Sequence, residues 1–203
     1  MGFLQGAVSL RRFLALGPVP GEEDLSNGLA QDRFRPFQDG TEEERFGWVD
    51  WRNPLLSPAD PGWVFQERFA LFALRIDSRK VPPMLLKAHT ELRIQNLMKE
   101  KDLAFVGREA RISLQDEVRA ELIQKVLPTP RLVEVAWDVK GGLLWTTACN
   151  SKAQGHLMGL CIKSFGVELQ PLVPLLQAER LMPDTRVEAL VSLEPFLLSL
   201  GDR

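Results

Sequence analysis

The chain has 203 residues, with 25 Lys and Arg against 27 Asp and Glu, a net charge of -2, and 45% hydrophobic residues. That suffices for one large domain or two small ones with a sizeable core and no disulfide or metal staple. The balance excludes global disorder, and it excludes nucleic-acid binding by bulk positive charge. Two cysteines, Cys149 and Cys161, make no disulfide scaffold and read as reduced, small buried hydrophobes in a cytoplasmic protein.

Residues 3–16 read as a first strand beginning almost at Met1. Arg11 and Arg12 interrupt this apolar run, unlike a signal peptide. No stretch reaches 18 uncharged apolar residues, so no membrane partner is expected. Gly17-Pro18-Val19-Pro20-Gly21 is a break, and Glu22 to Phe34 fits a short helix with acids in its first turn. Residues 35–63 read as irregular, with Trp48, Trp51 and Trp63 as packing anchors rather than a stacking platform for bases.

Val64 to Ile76 has strand character. Pro82-Pro83 then opens a helix running to about Leu103, with Leu85, Ala88, Leu92 and Met98 as its apolar face, widened by Leu86, Ile94 and Leu97. Ser113 to Asp116 has the form of a capping box, followed by an apolar stripe of Leu114, Val118, Leu122 and Val126. Pro128 and Pro130 end that helix. Leu132–Asp138 and Leu143–Ala148 read as a hairpin turning at Lys140-Gly141-Gly142. Asn150-Ser151 caps a helix from about Lys152 to Phe165, with core face Leu157, Cys161, Ile162 and Phe165, and Gly166 closes it. Val167–Val173 reads as a last strand weakened by Pro171, and Pro174 to Arg203 as an apolar tail without pattern.

This order predicts an α+β fold: an antiparallel or mixed sheet with helices packed on it, including a long helix pair and a β-hairpin. Three segments are expected: 1–78, 79–175, and 176–203 as a tail cut from a larger domain.

Most enzyme chemistry finds no support. His89 and His156 stand on predicted helices without a nucleophile nearby, and no zinc spacing, phosphate-binding glycine loop or serine elbow occurs. Asp184 and Glu188 are the one carboxylate pair considered for a metal-dependent nuclease, and they lack a lysine motif beside them. No catalytic residue, metal site or cofactor is therefore expected.

Charge is uneven instead. Residues 22–67 carry 11 acids and 4 arginines, whereas residues 79–131 carry 11 bases and 7 acids. The basic middle can offer Lys and Arg to phosphates, which gives sequence-independent affinity. Interleaved acids compete for the same cations.

Several short motifs in order resemble the RdgC recombination-associated family: Phe46-Gly47-Trp48-Val49, Arg79-Lys80-Val81-Pro82, Asp116-Glu117-Val118, Leu127-Pro128, Trp137-Asp138, Ser151-Lys152, Lys163-Ser164-Phe165-Gly166 and Pro171-Leu172-Val173-Pro174-Leu175. The resemblance spans roughly residues 1–175, and the specificity lies in the order of the motifs. It implies an α+β chain that pairs into a ring-shaped homodimer around double-stranded DNA. It also implies restraint of recombinase filaments at the nucleoid, and a family C-terminal third missing or replaced here. An exonuclease label attaches to the family, with no catalytic constellation here to match it.

The expected function is thus non-enzymatic, sequence-independent double-stranded DNA binding in recombination or replication. Lys80, Lys87, Arg93, Lys99, Lys101, Arg108, Arg111 and Arg119 form the pool of phosphate contacts. The alternative is a protein-interaction or scaffold module using exposed tryptophans and the apolar tail. A metal-dependent nuclease ranks third.

Overall fold

The longest apolar strand organises the chain. A computed structural model describes residues 3, 6–38, 40–58, 64–182 and 189–190. The strands are β1 (Arg11–Leu16), β2 (Glu44–Val49), β3 (Phe65–Gln66), β4 (Phe69–Ser78), β5 (Thr129–Asp138), β6 (Leu143–Thr146) and β7 (Glu168–Pro171). The helices are α1 (Glu22–Gln31), α2 (Pro83–Glu100), α3 (Arg108–Ile123), α4 (Ser151–Phe165) and α5 (Pro174–Leu181). All strand pairs are antiparallel, in a curled sheet of order β2-β4-β5-β6-β1-β7, with β3 added to β4. The fold is α+β.

Strand β4 pairs with β5 along its whole length, from Phe69 opposite Asp138 to Ser78 opposite Thr129. Ala70, Phe72, Leu74 and Ile76 point to one face and are buried, the period of two that a half-covered strand requires. Helices α1 and α4 cover that face through Leu25, Leu29, Leu157, Leu160 and Cys161. Phe165 sits among aromatics, with ring centroids 5.7 Å from Trp48, 5.8 Å from Trp137 and 6.0 Å from Phe72. Burial drives the Cys161 thiol pKa far upward, so it stays protonated and inert.

Local signals explain α4 well. The Asn150 side chain accepts the Ala153 amide at 2.7 Å, and Gly166 adopts φ 67, the left-handed turn that ends a helix. Edge position explains β7: Pro171 lies at the sheet border, where its missing N–H costs least. The sheet interleaves early and late sequence, since β1 lies between β6 and β7.

Other expectations need correction. The first strand begins at Arg11 rather than near Met1, and α1 ends at Gln31 rather than Phe34. Residues 35–63 are not uniformly irregular, because β2 lies inside them. Its Gly47 is crossed by the backbone of Phe34, where a Cβ would stand 2.5 Å from the Phe34 Cα. The expected strand from Val64 divides into β3 and β4. Ser113 caps nothing: α3 already starts at Arg108 after Gly107, so Ser113 is helical. On α2, Leu86 is buried while Ala88 is exposed and Leu92 is 55% exposed, so the apolar face is narrower than expected. On α4, Leu160 takes the core position expected of Ile162. Cys149 is exposed, not buried. The apolar tail begins with α5, and residues 183–188 and 191–203 lie outside the described residues.

Trp48 is a packing anchor, fully buried, with its indole N–H donating to Ser164 Oγ at 2.9 Å. Trp137 is buried as well, and Trp51 and Trp145 are half-buried. Trp63 lies outside the described residues.

Candidate nucleic-acid interface

Helices α2 and α3 form a hairpin inserted between β4 and β5. Each amphipathic helix needs a partner, and here each uses the other. Leu86, Val118 and Leu122, with Val81 against them, make a small second core. Pro83 starts α2 at the position where its missing N–H has no helical partner. Arg93 on α2 and Glu121 on α3 form an ion pair across the hairpin.

Between the two helices runs a groove of about 480 Å³. Its apolar floor includes Leu86, Ile94 and Ile112. Lys87, Arg108, Arg111 and Arg119 line it, with Glu91 as its one carboxylate. A cationic lining in a cleft with low-dielectric walls raises the local concentration of anions. Lys87 Nζ stands 3.9 Å from Glu91, and Arg119 Nη1 stands 3.9 Å from Glu43, both loose and solvent-exposed pairs. The Arg111 Nε donates to the Val106 carbonyl at 3.1 Å, which leaves its terminal nitrogens free to point elsewhere.

All eight predicted cations are exposed. The structure gathers Lys87, Arg108, Arg111 and Arg119 on the groove but not the other four. Arg93 lines a different cavity, beside His89 and Lys125, and is engaged by Glu121. Lys99 and Lys101 stand at the far end of α2. Lys80 lies in a small cavity at the start of α4, with Arg131, Lys152 and His156 around Glu44. Lys152 and His156 contact the Glu44 carboxylate at 2.5 and 2.8 Å. Arg131 and Lys152 were missed because they sit on separate elements, and only the fold brings them beside Lys80.

Nuclease chemistry would require converging carboxylates. Among the described residues no group of three or more His, Cys, Asp or Glu is poised to hold a metal ion. Asp184 and Glu188 lie outside the described residues. No helix among the described residues is long and apolar enough to cross a membrane.

Fold and site define a class: an antiparallel α+β sheet with helices on one face and, between its two longest strands, a helical hairpin whose groove is lined by cations. A family profile described as "Putative exonuclease, RdgC" matches residues 14–184, more than four fifths of the chain. The chain belongs to the RdgC family. No curated protein matches it.

Proposed function

We propose that this chain is a non-enzymatic, sequence-independent double-stranded DNA-binding protein of the recombination or replication machinery, acting as a homodimer and restraining recombinase filaments. The observation that carries the reading is the α2–α3 groove, where four cations face one carboxylate. Cations on a helix pair reach phosphates without reading bases, so binding of this kind is indifferent to sequence. A protein seated on the duplex in this way competes with a recombinase for the same backbone. Nucleoid localisation follows from the same contacts.

Salt titration of duplex binding tests it. Affinity is expected to fall steeply with salt and to be equal on unrelated duplex sequences. The double variant Lys87→Glu/Arg111→Glu is expected to weaken binding to all sequences alike and to reduce the salt slope by about 2. Affinity that barely changes between low and physiological salt would overturn the reading. Duplex incubated with magnesium is expected to stay intact.

A protein-interaction module is the second reading, favoured by apolar side chains left bare on and beside the hairpin. Met84 and Phe105 are 87% and 75% exposed. Self-association without any duplex binding would establish that reading in place of the first.

A further inference from the structure

A second cationic cavity lies away from the α2–α3 groove, between the end of α1, the segment leading to β2, β2 itself and α4. It measures about 530 Å³, within the usual range for small-molecule sites. Arg33, Arg35, Arg45 and Lys163 line it, with Asp32 as its one carboxylate among the described residues. Asp32 is already engaged: Lys163 pairs with it, and Ser164 Oγ donates to it at 2.8 Å. Arg45 is held by Glu42 at 2.8 Å and by the Pro36 carbonyl at 2.7 Å. Arg33 and Arg35 are exposed and have no ion-pair partner among the described residues. Among the described residues the cavity therefore carries two guanidinium groups without an ion-pair partner beside a carboxylate already paired with Lys163. Guanidinium groups match phosphate oxygens in geometry as well as charge.

The same cavity has an aromatic wall. Phe46 lines it, and His156 lies behind with ring centroids 4.3 Å apart. Phe46 is still 39% exposed, an unusual position for a phenylalanine on a strand whose next residues are buried. A ring held against a neighbouring ring, here tilted by 34°, offers its other face as a planar surface to a second ring. Gln31 and Gln38 at the rim supply amide donors and acceptors of the kind that read a heterocycle edge.

We propose that this cavity is a mononucleotide site, with Arg33 and Arg35 on the phosphate and Phe46 stacked under the base. Neither half alone specifies this ligand. Two exposed arginines suit any small anion, and an exposed phenylalanine suits any planar ring. Their joint presence in one cavity selects a ligand that carries both.

Calorimetric titration of the full chain with 5′-AMP, adenosine and inorganic phosphate tests the proposal. AMP is expected to bind about tenfold tighter than either part. Arg33→Ala/Arg35→Ala is expected to weaken AMP by about tenfold, to the level of adenosine, which makes no phosphate contact. Phe46→Leu is expected to weaken AMP at least about fivefold, the lower end of base–aromatic stacking. It is expected to leave phosphate affinity unchanged, which separates loss of stacking from loss of fold. Circular dichroism of both variants is expected to match the parent.

Phosphate binding as tightly as AMP would overturn the proposal, as would no binding of AMP at millimolar concentration. The duplex supplies the remaining arm. Arg33→Glu/Arg35→Glu is expected to change duplex affinity by less than about twofold, as for an independent site. A loss equal to that of Lys87→Glu/Arg111→Glu would make the cavity part of a duplex footprint and overturn a separate nucleotide site. Failure of duplex binding in the parent would touch the groove reading alone.

Discussion

The sheet body and the α2–α3 hairpin solve the same problem at different scales. Among the described residues the body gathers a core of twenty buried residues, most of them from the sheet and from α1 and α4, whereas the hairpin core holds three, Leu86, Val118 and Leu122. A helix pair with so little buried apolar surface gains less from packing and opens more readily than a sheet centre. What the hairpin gives up in burial it keeps as accessible surface, including the four groove cations. The difference teaches that stability and the presentation of charge are divided between two parts of one chain.

The largest expected effect lies in the body. Trp48→Ala removes a fully buried indole that stacks on Phe165 and hydrogen-bonds Ser164. It is expected to cost about 3–5 kcal/mol, read as a lower urea midpoint for the whole chain. Leu122→Ala, in the small core, is expected to cost about 2–3 kcal/mol. Hydrogen exchange checks where that loss falls. Faster exchange confined to α2 and α3 would sharpen the comparison, and equal acceleration in β4 and β5 would break it.

Caps give a smaller contrast. Asn150→Ala removes an observed cap and is expected to cost about 1 kcal/mol, whereas Ser113→Ala, inside α3, is expected to cost almost nothing. Thermal midpoints of the two variants decide this.

The smallest effect is an acid one. The Arg68 guanidinium, helped by the Gly141 amide, holds the Asp138 carboxyl below its usual value despite burial. A depressed carboxyl stabilises the fold above its unfolded pKa of about 3.9, and that contribution is lost as pH falls through the folded value. The stability gap between the parent and Asp138→Asn is therefore expected to be widest near neutral pH and to close below about pH 4, followed by denaturant midpoints across that range.

How much of this was legible depended on whether the signal was local. Asn150 and Gly166 bracket α4, and Pro83 opens α2, because caps act within one turn. Strand β2 escaped because its burial depends on distant partners. Gly47 offers no side chain to a periodic pattern, and its role is to let Phe34 cross. The Ser113 box failed because Gly107, without a side-chain cap, starts α3 earlier. The eight cations were legible as a basic stretch, but their division among three cavities and the end of α2 is a property of the fold. Arg33, Arg35 and Arg45 were hidden inside a segment whose net charge is strongly negative.

The place of β1 has a consequence for synthesis. Its residues pair with Leu143–Thr146 on one side and Glu168–Pro171 on the other. At roughly 5–20 residues per second, the ribosome makes β1 on the order of ten seconds before both neighbours exist. A strand waiting that long with two open edges is exposed to wrong pairing. Circular permutation that places residues 11–16 after β7 would shorten that wait severalfold.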